Sequence, residues 1–391
     1  MTGIHIGIDA SNIRQGGGVT HLVEILNSVS PESSGVLKVT LWASKLIVPR
    51  LPSYPWLIIR TPFWIDCSLP IRLIGQHIFL GFDMFRSSCC ILFSPGGALP
   101  IICQLPAIVM SQNMLPFESK EAARFGLLSL MRVKIWLLKQ LQIRSFKKAD
   151  GIIFLSEYAR DTIIKKTKIK DKAIKIIPHG VNSRFIEKPR DQRVIFKHQE
   201  KSAKFQFLYV SILMPYKHQI ELAHAVSLIY QEGWPVSINF IGPSWGNYAK
   251  KFKKHLKKLD PNREFLNWLG EISFDKVEEF YRNSDAFIFA SSCENMPNIL
   301  IEAMSAGLPI ASSYYGPMPE ILGAKGLFFD PMDVDSIADT LRFLINNPKV
   351  RMRLAENASL RAQDYSWTRT AKDTFDFIAL VLKSIKLNTN G

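Results

Sequence analysis

The stretch AFIFASSCENMPNILIEAMSAGLPIASS, residues 286–313, has the pattern of a strand, a helix and a second strand of one parallel sheet. Its first seven residues, AFIFASS, begin with an apolar, strand-forming run, and "PIASS" at its end is a second short strand pattern. Between them, Pro297 suits the first helical position, where its missing N–H costs nothing. Gly307 can end the helix, and Pro309 prevents it from resuming. This unit predicts an α/β fold.

Two glutamates occupy unusual places in this unit. Glu294 lies in the loop before the helix, where favourable charge at a helix start could explain it. Glu302 lies among apolar residues inside the helix, and a buried carboxylate without a partner costs several kcal/mol. The N–H groups at the helix start, those of Asn298, Ile299 and Leu300, predict an anion site. Together these features indicate a ligand site.

The same alternation of short apolar strands and helical patterns continues in both directions along the chain. A charged stretch without this pattern, residues 186–204, interrupts it and is interpreted as a linker. The sequence therefore predicts two doubly wound domains, at 1–185 and 205–365. The helix at 366–391 is amphipathic enough to pack back on the first domain. Ligands of open α/β sheets bind beyond the carboxyl ends of the strands, so a central cleft between the two domains is expected.

Composition narrows the class of protein. With 47% hydrophobic and 21% charged residues, the chain of 391 residues is not disordered. The odd number of cysteines, five, without a C-x-x-C spacing favours a reducing, cytoplasmic compartment. We find neither a signal peptide pattern nor a run of eighteen apolar residues in the sequence.

Basic charge is concentrated in the first half of the chain. Residues 1–180 contain 22 Lys and Arg against 11 Asp and Glu. Within them, the predicted helix at 127–150 alternates basic residues with bulky apolar ones, including Trp136. This pattern suits an anionic membrane surface, although a crossover helix with solvated lysines would also produce it. We expect a peripheral protein on the inner face of the plasma membrane. Nucleic acid is not expected, because no zinc spacing, RRM motif or helix-turn-helix pattern is present.

The segment 291–322 resembles the donor-binding motif of the retaining glycosyltransferases of family 4, which have the GT-B fold. The resemblance consists of two glutamates separated by seven residues, then Ala-Met, a Gly-x-Pro and the downstream "GPMPEIL" and "GLFFDP". It implies two Rossmann-like domains and a hexosyltransferase that uses a nucleotide-sugar donor. The acceptor would be a glycan, lipid-linked in bacterial cell-surface polysaccharide, lipopolysaccharide or O-antigen assembly. Mannose or a deoxy-hexose is a guess for the sugar.

The resemblance assigns roles to individual residues. Glu294 would contact the transferred sugar, and Glu302 would hold the ribose hydroxyls of the nucleotide. Lys217, which follows a strand and precedes a helix, could neutralise the departing diphosphate, although a solvated lysine is an equal interpretation. The family has an arginine five positions before this lysine. Ile212 stands there instead.

Three further predictions concern the first domain. Gly17 and Gly18, after the first strand, would let the backbone approach the donor. Gln112 and Asn113 stand where many relatives have His-Asp. Their amides can hydrogen-bond the sugar but cannot exchange protons, so Gln112 is assigned to donor binding and Asn113 to the catalytic group. In a front-face reaction the leaving phosphate deprotonates the acceptor, and no protein base is needed.

No metal or cofactor is expected, since the resemblance implies a metal-independent enzyme. The D-x-D of Asp333 and Asp335 precedes a helical pattern and is interpreted as an N-cap. Two alternatives stay open: a catalytically silent GT-B binding subunit, and a GT-B nucleotide-sugar epimerase or phosphorylase. The nucleotide base, the acceptor, the linkage and the oligomeric state do not follow from the sequence.

Overall fold

The computed structural model describes residues 3–126, 129–198, 204–244 and 246–389. The chain forms two compact units. Unit 1 comprises Met1–Phe117, Leu130–Gly180 and Ser366–Gly391, and unit 2 comprises Glu118–Ser129 and Val181–Tyr365. Parts of three predicted segments lie outside the described residues: 199–203 of the linker, 127–128 of the basic helix and 390–391 of the C-terminal helix.

The strands are short and apolar, as the sequence predicts. In chain order they are β1 (Ile4–Ala10), β2 (Val36–Ala43), β3 (Leu57–Arg60), β4 (Ile91–Ser94), β5 (Ala107–Met110), β6 (Gly151–Phe154), β7 (Ala173–Ile176), β8 (Phe205–Val210), β9 (Val236–Ile241), β10 (Leu266–Trp268), β11 (Ala286–Phe289), β12 (Ile310–Ser313) and β13 (Leu327–Phe329).

Helices connect the strands in nearly every crossover. They are α1 (Gly17–Ser28), α2 (Leu69–Ile74), α3 (Leu80–Arg86), α4 (Ser119–Ala123), α5 (Leu130–Lys148), α6 (Glu157–Thr167), α7 (Gln219–Gln231), α8 (Gly246–Leu259), α9 (Val277–Arg282), α10 (Asn298–Ser305), α11 (Met318–Leu322), α12 (Val334–Asn346), α13 (Pro348–Ala362) and α14 (Trp367–Thr389). A π-helical turn, Gly75–Phe79, joins α2 to α3.

Unit 1 is built on one parallel sheet. Within the described residues its strand order is β3-β2-β1-β4-β5-β6-β7, and Ile8 of β1 pairs with Leu41 of β2 and Phe93 of β4. Strands β4, β5 and β6 are buried along their whole length, because helices cover both faces of a doubly wound sheet. The last helix belongs to this unit: α14 packs against α1, and Asp376 accepts a hydrogen bond of 2.6 Å from the Ser34 hydroxyl.

Unit 2 repeats this architecture with a second parallel sheet. Its order among the described strands is β10-β9-β8-β11-β12-β13. The reversal of strand order falls between β8 and β11, where Phe207 pairs with Ala286. At such a switch point the two neighbouring strands send their chains to opposite faces, which opens a crevice at their carboxyl ends. The loops that follow β8 and β11 therefore flank the expected ligand position of this unit.

The helix of the opening motif begins one residue later than predicted. Pro297 does not occupy the first helical position. It is the N-cap, with φ −79° and ψ 110°, and Asn298 is the first helical residue. The end of the helix agrees with the prediction, since Gly307 has φ +64° in the left-handed region. A Cβ there would lie 2.7 Å from the backbone N of Pro189, so glycine is required at this position for two reasons.

No described helix is both long enough and apolar enough to cross a membrane.

Candidate functional site

The loops after β8 and β11 bring Lys217 and Glu294 together in unit 2. Because these strands are neighbours in the sheet, their carboxyl ends lie side by side. Lys217 Nζ forms an ion pair with Glu294 Oε1. The side chains of Lys217 and Glu294 are only 7% and 13% exposed. The backbone of Lys217 is fixed by the Tyr209 hydroxyl, which donates to its carbonyl oxygen over 2.6 Å.

This ion pair places a cation and a carboxylate at the mouth of the crevice before any ligand is bound. A carboxylate can accept hydrogen bonds from sugar hydroxyls, and an ammonium group can stabilise phosphate oxygens. Each group also holds the other in position, so neither is a buried charge without a partner. Gly316, in the loop after β12, packs beside this loop, since a Cβ there would lie 3.9 Å from the Glu294 backbone.

Glu302 lies on α10, is buried as predicted and has a protein partner that the sequence did not reveal. The Tyr281 hydroxyl, from α9, donates to Glu302 Oε2 over 2.9 Å. Burial raises the pKa of Glu302 to about 7, although the Tyr281 hydrogen bond and the charge of Arg184 lower it. Glu302 therefore has one protein donor, and the rest of its acceptor capacity is open to ligand hydroxyls. Tyr281 and Glu302 lie on different helices, and no spacing in the sequence predicts that the two side chains are in contact.

The start of α10 offers fewer backbone donors than predicted. The Leu300 N–H donates to the Pro297 carbonyl over 3.1 Å, so the anion site expected from three amides is reduced to those of Asn298 and Ile299. The Asn298 side chain adds an acceptor: its Oδ1 is buried and has no hydrogen-bond partner among the described residues. A buried polar atom left in this state is costly, and a ligand hydroxyl or amine at this point would satisfy it.

A segment that the sequence analysis did not single out supports the two loops. Residues Glu118–Ser129 lie between β5 and α5 in the chain but belong to unit 2. Buried Glu121 accepts hydrogen bonds from the Ser292 hydroxyl (2.8 Å) and from Arg124 Nε (2.6 Å). His218 Nε2 lies 2.9 Å from the same serine oxygen. Ser292 and His218 are close in sequence to Glu294 and Lys217, so Glu121 ties together the loops that carry the ion pair.

The predicted site residues of unit 1 also form a group. Gly17 and Gly18 begin α1 after β1, and a Cβ on Gly18 would lie 3.1 Å from Gln112 Oε1. Gln112 therefore lies against the glycine turn, and its Nε2 donates to the Met110 sulfur over 3.3 Å. Asn113 has a local role, since its Oδ1 accepts from the Leu115 amide over 3.0 Å. These residues lie at the carboxyl edge of the unit 1 sheet.

The D-x-D motif forms a helix cap. Asp333 is the N-cap of α12, and its Oδ1 accepts from the Asp335 amide over 2.9 Å. Across the described part of the chain, we find no group of three or more His, Cys, Asp or Glu side chains that could hold a metal ion.

Residues 191–361, which contain the Lys217–Glu294 pair and Glu302, match the family model of glycosyl transferases group 1. Sulfoquinovosyl transferase SQD2 of Arabidopsis thaliana is 28% identical over 30% of this chain and 24% of its own length. An uncharacterized glycosyltransferase of Methanocaldococcus jannaschii is 25% identical over 56% and 57%. O-antigen chain mannosyltransferase B of Escherichia coli is 21% identical over 61% and 62%. The chain therefore spans less than two thirds of each of these relatives.

Solved structures establish the fold. Sucrose-phosphate synthase from Thermosynechococcus elongatus superimposes with a TM-score of 0.75 at 14% identity, covering 97% of this chain and all of the other. WaaG, a glycosyltransferase involved in lipopolysaccharide biosynthesis, has a TM-score of 0.71 at 14% identity and covers 96% and 99%. HepE of Anabaena in complex with UDP-glucose has a TM-score of 0.69 at 16% identity and covers 97% and 100%. The chain has the GT-B fold with two Rossmann-like domains, as predicted.

Proposed function

We propose that this protein is a retaining glycosyltransferase that moves a hexose from a nucleotide sugar to a glycan, with the donor bound at the carboxyl edge of the unit 2 sheet. The observation that carries the proposal is the ion pair of Lys217 and Glu294 beside the switch point, with Glu302 buried on the neighbouring helix. All three residues lie inside the segment that matches the glycosyl transferases group 1 model.

The roles follow from the chemistry of each group. Glu294 accepts hydrogen bonds from the sugar hydroxyls, and Glu302 accepts them from the ribose. Lys217 neutralises the charge that develops on the leaving diphosphate, where a cation is worth more in the transition state than in the ground state. The leaving phosphate takes the proton of the acceptor hydroxyl, so the proposal needs neither a protein base nor a metal ion. Gly17, Gly18 and Gln112 contribute to donor binding, and Asn113 contributes to catalysis, from unit 1.

Mannose is the sugar we favour, because the relatives include an O-antigen chain mannosyltransferase. A structural neighbour was solved with UDP-glucose, so both uridine and guanosine carriers are tested below. The pathway we propose is the assembly of cell-surface polysaccharide or lipopolysaccharide at the inner face of the plasma membrane, with a lipid-linked acceptor.

A surface of unit 1 supports the membrane part of this proposal. Nine large apolar side chains on the α2–α3 helix pair and the loop after β4 are at least 42% exposed. We call these the apolar face: Leu69, Ile71, Ile74, Ile78, Phe79, Phe82, Phe85, Ile101 and Ile102. A patch of this kind marks an interaction site.

The basic helix α5 adjoins the apolar face. Arg144 and Lys148 both donate to the Ile101 carbonyl over 3.2 Å. At its start, α5 itself exposes Leu130 (79%) and Trp136 (57%). Residues 67–104 and 130–148 together contain eight Lys and Arg but one acid, Asp83. Apolar side chains surrounded by cations suit the interface of an anionic bilayer.

Donor binding is the first test. The purified protein is titrated with UDP-, GDP-, dTDP- and ADP-sugars while its thermal unfolding is followed. A donor at 100 times its Kd stabilises the native state by about 2.7 kcal/mol, and we expect this shift for one carrier. Glu302→Ala should abolish the shift, whereas Glu279→Ala, which removes an exposed glutamate from α9, should not. Absence of a shift with every donor contradicts the donor site.

Membrane binding is tested by co-sedimentation with vesicles. We expect binding to vesicles that contain phosphatidylglycerol and little binding to pure phosphatidylcholine, with a loss at high salt. The double variant Phe82→Ser, Phe85→Ser should lose most of the bound fraction. Its matched control, Leu360→Ser with Leu380→Ser, removes two leucines that are 66% and 63% exposed elsewhere. Equal loss of vesicle binding in both double variants would refute membrane docking by the apolar face. So would a dimer, detected by light scattering, that the Phe82→Ser, Phe85→Ser variant no longer forms.

A further inference from the structure

Two arginines lie at the carboxyl edge of the unit 1 sheet, and Arg72 bonds to Asn12, two residues before Arg14. Arg14 is in the loop after β1, and Arg72 is on α2. Burial lowers the pKa of Arg72, and the positive charge of Arg14 lowers it further. Two guanidinium groups that repel each other destabilise this edge. An anion bound between the two groups would relieve this repulsion, so the pair is a candidate anion site.

Arg72 is held by a chain of hydrogen bonds that begins in the core. The buried carboxylate of Asp9, at the end of β1, accepts from Gln76 Nε2 over 2.6 Å. Gln76 Oε1 accepts from Asn12 Nδ2, also over 2.6 Å. Asn12 Oδ1 then accepts from Arg72 Nε over 3.1 Å. Because Nε is used in this way, the guanidinium group is held by one hydrogen bond that does not use its two terminal nitrogens.

The π-helical turn Gly75–Phe79 makes this chain of bonds possible. It places Gln76, which is 2% exposed, between Asp9 and Asn12. The turn packs on Trp64 so closely that a Cβ on Gly75 would lie 2.3 Å from the indole ring. Such turns cost stability and are frequent at functional sites. In this protein the π-helical turn positions Gln76, and through Gln76 and Asn12 it orients Arg72 at the surface.

Arg14 is held separately and is only weakly neutralised. Its Nη1 donates to the Ile65 carbonyl over 3.0 Å and lies 3.9 Å from Asp66 Oδ1. Asp66 is already engaged, since it accepts hydrogen bonds from the Ser44 hydroxyl and the Lys45 amide. Asp66 thus pairs with Arg14 at 3.9 Å while its oxygens also serve Ser44 and Lys45. Guanidinium groups in this state match the oxygens of a phosphate group, which they bind in bidentate fashion.

We propose that Arg14 and Arg72 bind a phosphate group, and that this is the phosphate of a lipid-linked acceptor. The source is inferred from the neighbours of Arg72 on α2: Leu69, Ile71 and Ile74 are 44%, 45% and 52% exposed. A molecule with a phosphate head and an isoprenoid tail would place its head on the arginines and its tail along the apolar face. The inference rests on the proposed function for its acceptor, but the site itself can be tested without any glycosyl transfer.

The experiment measures binding of farnesyl diphosphate by calorimetry at concentrations below micelle formation, beside inorganic pyrophosphate, UDP and GDP. Arg14→Gln and Arg72→Gln are compared with the wild type. Arg86→Gln is the matched control, because it removes an exposed arginine from α3 on the same surface. Loss of a charge-assisted hydrogen bond should raise the Kd for farnesyl diphosphate by about tenfold or more. Arg72→Lys should recover only part of the affinity, since lysine keeps the positive charge but loses the planar, bidentate geometry of the guanidinium group.

Each outcome is decisive. A raised Kd for farnesyl diphosphate and pyrophosphate in both glutamine variants, with UDP and GDP binding unchanged, supports the proposal. If UDP and GDP binding weakens instead, the arginines serve the donor and the acceptor assignment is wrong. An effect of Arg86→Gln equal to that of Arg72→Gln, or unchanged binding in every variant, overturns the phosphate site. Failure of the proposed function would appear elsewhere, as unchanged nucleotide-sugar binding in Glu302→Ala.

Discussion

The surroundings of Glu302 set the ionisation of the carboxyl that the proposed donor would meet. Burial raises the pKa of its carboxyl to about 7, while the Tyr281 hydroxyl and the Arg184 charge keep it from rising further. Near neutral pH the free protein is therefore divided between the carboxylic acid and the carboxylate. The carboxylate accepts hydrogen bonds from hydroxyls on both oxygens, whereas the acid uses one oxygen as a donor, so the proposed binding of ribose would favour the ionised form.

Nucleotide affinity should accordingly depend on pH. We expect the Kd of the cognate nucleotide sugar to rise as the pH falls through about 7, because binding must then first remove a proton from Glu302. In Tyr281→Phe the lost hydrogen bond raises the pKa of Glu302, so the same change should occur at higher pH. Glu302→Gln should bind weakly with no pH dependence in this window. Calorimetric titrations over about three pH units around pH 7, roughly from pH 5.5 to 8.5, measure the Kd for all three proteins. Equal pH profiles for wild type and Glu302→Gln would contradict the role assigned to Glu302.

At the same scale, sequence reasoning succeeds where a residue conflicts with its local pattern. Glu302 among apolar neighbours predicts a buried carboxylate, and burial is what the structure has. Tyr281 and Glu121 could not be found in this way, because a tyrosine on an amphipathic helix and an acid near a helix start are ordinary features. Their partners are distant in sequence, and only the packing of the helices brings the hydrogen-bonding atoms together.

Among the elements, the segment Glu118–Ser129 is the least expected. It connects β5 to α5 of unit 1, yet its packing partners are in unit 2. The Phe125 ring lies 6.3 Å from the Tyr216 ring, and Glu121 bonds to Ser292. Its single helix, α4, has five residues, so its position depends on these contacts and not on its own helical stability.

Removing Glu121 should therefore loosen the site as well as the fold. Glu121→Ala leaves the Ser292 hydroxyl and Arg124 without their partner, which should cost about 1–3 kcal/mol of unfolding free energy. Donor affinity should also fall, since Ser292 and His218 adjoin Glu294 and Lys217. Glu121→Gln keeps an acceptor oxygen and should recover most of both losses. Urea unfolding measures the loss of stability, and donor titration measures the loss of affinity. If Glu121→Ala is destabilised but keeps full donor affinity, the segment Glu118–Ser129 has only a structural role.

The strand and helix pattern of both units was predictable, because parallel sheets covered on both faces require apolar strands that alternate with helices. The π-helical turn was not, since residues 69–86 have the same composition as a regular helix. Nor was the exposure of their apolar side chains predictable. A helix that leaves its apolar residues outside differs from a packed one only in its tertiary contacts, and the sequence of α2 and α3 fits either.

For the molecule as a whole, the buried titratable groups give the two units opposite responses to pH. In unit 1, His21 of α1 and His179 of the turn after β7 are buried together, with their Nδ1 atoms 3.0 Å apart and Trp367 of α14 beside them. Burial lowers the pKa of both, that of His179 to about 3. In unit 2 the pKa of Glu302 is raised.

The signs follow from which state binds more protons. Below pH 6.5, the ordinary histidine value, unfolded unit 1 takes up protons that the folded unit refuses. Its stability therefore falls on acidification, by about 2 kcal/mol at pH 5 for His179, and His21 acts in the same direction. Folded unit 2 instead holds a proton on Glu302 between its ordinary pKa of 4.5 and about 7. The stability of unit 2 is therefore lost as the pH rises through that range, by about 3 kcal/mol.

Two variants separate these contributions. His21→Gln should gain stability relative to the wild type as the pH is lowered from 7 towards 5, because one protonation site of the unfolded chain is gone. Glu302→Gln should gain relative to the wild type as the pH is raised over the same interval, since it no longer has to ionise inside the fold. Denaturant unfolding of all three proteins across this range gives both difference curves. The two curves should have opposite slopes. A flat or reversed curve for either variant would mean that its buried group does not titrate as its surroundings require. In the case of Glu302→Gln, the pH dependence of donor binding argued from Glu302 would be refuted with it.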